Sequence, residues 1–196
     1  MFGVSSTIDN ATALLQDLGI NDSNVSTDLD LLQKADSRYL KDIKVSLSTA
    51  INAASLTKKE AYFIALSIAA NEKNETLKNA FLAKALEEGA NEKEIAEVIA
   101  CTSLMNANNV YYRFRHFMHD EFYDNAQAGI RMGIMASPVL GKEFFELLST
   151  AVSAVNGCQM CVTSHEKALL GHGTTKQRIH DAVRLAAVIK SIAVII

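Results

Sequence analysis

Cys158 and Cys161 form a C-x-x-C pair, with His165 four residues after the second cysteine and Glu146 twelve before the first. These residue types suit dithiol chemistry. Two sulfurs can bridge and open, an imidazole can take or give a proton, and a carboxylate can orient the imidazole. Two of the three cysteines in the chain lie in this one turn. The stretch Glu146 to Gly171, ELLSTAVSAVNGCQMCVTSHEKALLG, is therefore expected to hold a redox-active dithiol tuned by His165 and Glu146, with the rest of the chain as its frame.

Two helices must position the set. Apolar spacing at Phe144, Leu147, Leu148, Ala151, Val152 and Val155 predicts one helix, and Asn156-Gly157 stops it. Val162, Ala168 and Leu169 predict a second, starting at the cysteines and ending near Gly171. Cys158 and Cys161 then fall in its first turn, where the helix carries roughly half a positive charge and free N–H groups that stabilise a thiolate. Positions three apart share a face, so the sulfurs can bridge. His165 lies one turn beyond Cys161 on that face. Glu146 reaches His165 only if the two helices close into a tight hairpin.

The frame is expected to be all-α and a single domain over residues 1–196. Apolar residues make up 49% and charged residues 21%, there is one proline and no tryptophan, and glycine is sparse. A net charge of −3 argues against a nucleic-acid partner, which would need a basic face. Mean hydropathy of +0.10 is high for a helical monomer and predicts surface buried between subunits. No basic region precedes the first apolar residues, so no signal peptide is expected. The apolar tail LAAVIKSIAVII is interrupted by Lys190 and is shorter than the ~20 residues a membrane helix needs. A cytoplasmic, reducing setting with no membrane partner is the expectation, and there a C-x-x-C pair is more often catalytic than structural.

Along the chain, helices are expected over 8–19, from about Ser37 to Ala54, from the capping box Thr57-Lys-Lys-Glu60, from Asn74 to Gly89, and from Asn91 through Phe114. Asn21 to Asp28 looks turn-like, Asp120 to Met135 a short helix and loop, Pro138 the N-terminal edge of the Glu146 helix, and Thr174 or Thr175 the cap of the last helix. An internal echo aligns the halves about 57–119 and 138–196 without gaps. It sets Asn74 at the place of Cys158, Leu77 at Cys161, Phe81 at His165 and Tyr62 at Glu146.

Other chemistries stay open at this level. A thioredoxin-type site would need strand–helix alternation. Zinc would need two more ligands, with only His172 and His180 near, so no metal is assigned. Two inert core cysteines, or a non-catalytic redox-sensing or zinc-holding oligomer, are the remaining alternatives. Cys101 falls on an apolar helix face and is expected to pack in the core. His116 and His119, after an aromatic and basic segment, end a solvated helix or lie on a contact surface, and His172 and His180 are expected at the surface.

The pattern Glu146-x11-Cys158-x2-Cys161-x3-His165 resembles the motif of the alkyl hydroperoxidase D (AhpD) family, and Met105-Asn-Ala-Asn-Asn-Val-Tyr-Tyr-Arg-Phe114 is similar to that family's Asn/Tyr/Arg segment. The resemblance implies an all-α fold, a homotrimer or higher homo-oligomer, and antioxidant peroxidase activity toward small-molecule hydroperoxides. It also implies disulfide transfer to a peroxiredoxin, with reducing equivalents from a dithiol such as dihydrolipoamide on a lipoylated protein and no bound cofactor. It makes Cys161 the sulfur oxidised to sulfenic acid, Cys158 the proton donor and bridging partner, and His165 with Glu146 the proton relay. One departure is Met160, where characterised members often have a histidine before the second cysteine. The wider family includes carboxymuconolactone decarboxylases, which share the fold without the cysteine pair.

Overall fold

The computed structural model describes residues 9–21 and 25–196. Their order is α1 (Asn10–Leu18), α2 (Thr27–Lys34), α3 (Tyr39–Ile51), α4 (Lys58–Asn71), α5 (Glu75–Glu87), α6 (Glu92–Met118), α7 (Glu121–Asn125), a 3-10 turn (Gly133–Met135), α8 (Lys142–Val155), α9 (Gln159–Gly171) and α10 (Lys176–Ile195). The described residues contain no strand, and none of their helices is long and apolar enough to cross a membrane.

Two helices form the centre. α4 buries Ala61, Phe63, Ile64, Ala65, Leu66, Ser67, Ile68 and Ala69 in sequence, and α8 buries Phe144, Phe145 and every residue from Leu147 to Ser153. A helix buried on nearly all sides must be apolar all round, which is why α4 shows no clean polar stripe. α5 folds back on α4 and α9 on α8, while α6 and α10 each pack against both central helices. Glu146 therefore projects from a rod fixed on several sides.

Caps set the helix limits. Asp9 accepts the Thr12 amide at 2.7 Å, and Gly19, with φ of +76°, closes α1. Ile8, the expected first residue of α1, lies outside the described residues. The Thr57–Glu60 capping box is formed, with Glu60 accepting the Thr57 amide at 2.8 Å and Thr57 accepting the Glu60 amide at 3.2 Å. Thr175, not Thr174, caps α10.

Three expectations change. Residues 22–24 of the expected Asn21–Asp28 turn lie outside the described residues, but its end already belongs to α2. Ser26 accepts the Leu29 amide at 3.0 Å, and Asp28 and Asp30 sit in the first turn, where the helix dipole favours negative charge. Pro138 does not open α8. It lies in a turn closed by a hydrogen bond from the Gly141 amide to its carbonyl, and the helix starts at Lys142. α6 runs on to Met118, past Phe114, and ends at His119 in the left-handed region.

Helices α4, α5 and α6 share their register with α8, α9 and α10: Lys58 with Lys142, Asn71 with Val155, Glu75 with Gln159, Glu87 with Gly171, and Glu92 with Lys176. Asn74 caps α5 at φ −89°, ψ 97°, and Cys158 caps α9 at φ −95°, ψ 91°. The first cysteine thus fills a slot whose ordinary occupant is an N-cap side chain.

Candidate active site

Gly157 makes the site possible. Its φ of +69° reverses the chain between α8 and α9, a conformation that costs glycine little. The turn delivers Cys158 as the N-cap of α9, its backbone amide held by the Ser153 carbonyl at 3.0 Å. The Cys158 sulfur accepts the Cys161 amide at 3.3 Å. The sulfurs of Cys158 and Cys161 are joined in a disulfide, with Cα atoms 5.3 Å apart.

The same hairpin brings Glu146 to His165. The His165 Nδ1–H donates to Glu146 Oε2 at 2.6 Å, and the side chains are only 11% and 18% exposed. Beside an ionised carboxylate Nδ1 must hold its proton, which leaves Nε2 as the ring atom that exchanges one. The condition left open by the spacing alone, closure of the two helices, is met.

A cavity of about 280 Å³ opens over the second sulfur, lined by Asn108, Tyr112, Met132, Met135, Met160, Cys161, Ser164 and His165. Cys161 is 6% exposed and lines it; Cys158 is fully buried and does not. A reagent entering here meets Cys161 and His165 together. Met160 contributes a thioether to this wall where a histidine would have supplied another proton-handling group.

The turn before the cysteines is anchored by amides on α6. Asn109 donates to Ser153 Oγ at 2.8 Å and accepts from Asn156 Nδ2 at 3.0 Å, and Arg113 donates to the Asn156 carbonyl at 2.5 Å. Asn71 on α4 donates to Asn156 Oδ1 at 3.0 Å. Asn109 is buried, and each of these groups would be costly to leave unpaired. Glu97, also on α6, accepts the Val139 and Leu140 amides at 2.8 and 2.6 Å and fixes the approach to α8. On another side of α8, Arg178 joins Glu60 at 2.6 Å and Glu143 at 3.0 Å, tying α10 to both central helices.

The remaining candidates stand apart. Cys101 is buried in the core, 3.4 Å from Ser149 Oγ, and burial pushes its thiol up to about 12. His116 and His119 stack edge-on at the end of α6 and do not line the cavity, while His172 and His180 are exposed. Among the described residues no three His, Cys, Asp or Glu side chains form a group able to hold a metal ion. Nothing in the spacing along the chain marks Asn108, Asn109, Glu97 or the cavity methionines as parts of one site. Asn108 and Asn109 do fall in the Met105–Phe114 run whose resemblance to an Asn/Tyr/Arg segment is visible in the sequence, but only the packing of α6, the loop before α8 and the α8–α9 hairpin brings the set together.

Residues 123–195, which span α8, α9 and all of α10, match the carboxymuconolactone decarboxylase family. Much longer similarity links the chain to proteins named alkyl hydroperoxide reductase AhpD. That of Anaeromyxobacter dehalogenans (strain 2CP-C) is 39% identical over 166 residues, covering 85% of this chain and 89% of the relative. That of Beijerinckia indica subsp. indica is 39% identical over 163 residues, covering 80% and 86%. That of Coxiella burnetii (strain Dugway 5J108-111) is 35% identical over 158 residues, covering 79% and 89%.

Proposed function

The chain belongs to the alkyl hydroperoxide reductase AhpD family, and we propose that it reduces alkyl hydroperoxides by cycling the Cys158–Cys161 pair between dithiol and disulfide. The observation that supports this most is the His165–Glu146 pair beside a cavity into which Cys161, and not Cys158, opens.

In the reduced protein the Cys161 thiolate attacks the terminal oxygen of the hydroperoxide. A sulfur–oxygen bond forms, the O–O bond breaks, and the alkoxide leaves. His165 Nε2–H supplies the proton that turns it into an alcohol, and Glu146 stabilises the imidazolium from which that proton comes. The sulfenic acid on Cys161 then condenses with the Cys158 thiol, releasing water and forming the disulfide. Positions i and i+3 in one turn make this closure entropically cheap. A dithiol restores the pair through a mixed disulfide and is itself oxidised. Because both sulfurs lie below the surface, the donor must be slender. A dihydrolipoyl arm suits the cavity, and a peroxiredoxin is the proposed recipient when the pair acts as a disulfide carrier. A homotrimer or higher homo-oligomer in the cytoplasm is the proposed setting.

Turnover of cumene hydroperoxide with dihydrolipoamide tests this. Cys161→Ser is expected to abolish it. Cys158→Ser is expected to stop cycling after one oxidation, with Cys161 trapped as a sulfenic acid. Full turnover by Cys161→Ser would overturn the proposal. The match to the carboxymuconolactone decarboxylase family motivates a second reading, acid–base chemistry on a lactone or carboxylate. Activity on such a compound that survives alkylation of the thiols would favour it. A bound zinc ion in native mass spectrometry, or a pair that peroxide never oxidises, would favour a non-catalytic sensor.

A further inference from the structure

Asn108 is 5% exposed and lines the cavity beside Cys161 and His165. Its Nδ2 donates to the Met132 sulfur at 3.3 Å, and its Oδ1 has no hydrogen-bond partner. Turning the amide over does not help. The oxygen would then face a thioether that has no proton to give, and Nδ2 would become the orphan. A buried polar atom left unpaired is destabilising and calls for an explanation, and at a reactive site the fitting one is a ligand that completes it.

A hydroperoxide has the complementary chemistry. Its terminal oxygen carries one O–H donor, and that oxygen is the one a thiolate attacks. The rest of the cavity wall is supplied largely by Met132, Met135 and Met160, apolar and adaptable surface for a hydrocarbon tail. Resting on the peroxidase reading above, we infer that Asn108 Oδ1 is the substrate-binding acceptor: it takes the O–H of the hydroperoxide and holds the terminal oxygen against Cys161. The proton it holds is not transferred in the oxygen step. It stays on that oxygen as the O–S bond forms and ends on the sulfenic acid, so the contact persists through the reaction. Tyr112, one turn further along α6, extends the same wall. An apolar substituent on the bound hydroperoxide would lie against Met132, Met135 and Met160.

The test compares two reactions of the same sulfur. Reduced Asn108→Leu, close in shape and without an acceptor, is mixed with cumene hydroperoxide in single turnover and, separately, with iodoacetamide. Loss of one hydrogen bond predicts a roughly tenfold slower oxidation. Alkylation, which uses the same thiolate but no hydroperoxide proton, is expected to stay within about twofold of the parent. Asn108→Asp, which keeps an acceptor oxygen, should lose less than Asn108→Leu when each oxidation rate is divided by its own alkylation rate. Equal losses in both reactions, or no loss in oxidation, would overturn the inference. If the variants do not fold, the unaltered protein decides. Cumyl alcohol, which can donate to Asn108, should inhibit oxidation competitively, and its methyl ether should not; equal inhibition would overturn the inference. A parent protein whose thiols cumene hydroperoxide never oxidises would instead refute the peroxidase reading itself.

Discussion

Replacing Glu146 by glutamine probes the proton relay with the least disturbance. The side chain keeps its length, and its amide oxygen can still accept the His165 Nδ1–H that lies 2.6 Å from Oε2 of the glutamate. What disappears is the charge. A hydrogen bond to a charged partner is worth about 1.5–3 kcal/mol and a neutral one about 0.5–1.5. The pair is largely shielded from water at 11% and 18% side-chain exposure, so solvent screening removes little of the difference. The imidazolium that donates to the alkoxide should lose about 1–1.5 kcal/mol of stabilisation, a roughly five- to tenfold slower oxidation. Glu146→Ala should be slower still, and less stable by about 1–3 kcal/mol, because it leaves a buried ring nitrogen unpaired. The chain has no tryptophan, so progress is best followed by acid quench and mass spectrometry. Loss of two hydrogens marks the disulfide. Rates of oxidation by cumene hydroperoxide in both variants equal to the parent's would refute the relay, since a carboxylate that can be removed without effect is not handling charge.

Asn109→Leu should strand Ser153 and Asn156, costing about 2 kcal/mol and lowering Tm by about 4–8 °C in a thermal melt. Reduced protein at pH 8 should take up iodoacetamide at Cys161 and not at Cys101 until it is denatured, because burial pushes the Cys101 thiol up to about 12; labelling of Cys101 in the native state would contradict the packing. Acid should weaken the fold through Glu60 and Glu143. Burial alone would raise both carboxyls, but the hydrogen bonds and charge of Arg178 outweigh it and hold them below the ordinary value of 4.5. Folded values below the unfolded ones mean that this stabilisation is present above about pH 4.5 and is lost as pH falls through the folded values. Arg178→Ala should cost about 3 kcal/mol near neutral pH and flatten the acid limb of a stability–pH curve.

Local chemistry makes the skeleton of the site legible in the amino-acid sequence. A cysteine pair at one helix start, a histidine one turn on and a glycine turn behind them constrain each other over a few residues. Their relation to Glu146 needs only a hairpin, which the Asn156-Gly157 signal suggests. The capping box at Thr57 and the Asn74 and Asn91 caps are legible for the same reason: each is a contact across two or three residues. Pro138 misleads because proline fits a helix start and a tight turn equally well, and the choice is made at long range by Glu97 gripping the Val139 and Leu140 amides. α2 escapes notice because only Leu29 is buried in it, so its apolar period is too faint to outweigh a polar run. Asn108 lies in the Met105–Phe114 run already visible in the sequence, but its meeting with the methionine wall beside Cys161 stays hidden for a deeper reason. These residues come from α6, the loop before α8 and α9, and no spacing along the chain announces a cavity formed by three separate segments.

The most direct measurement is the stoichiometry of a single oxidation. Fully reduced protein is given an equimolar amount of cumene hydroperoxide with no donor present, and both the alcohol and the peptides are quantified. The account predicts one cumyl alcohol released per Cys158–Cys161 disulfide formed, with Cys101 still a thiol. Alcohol appearing while Cys158 and Cys161 stay reduced, or a disulfide appearing without alcohol, would contradict it.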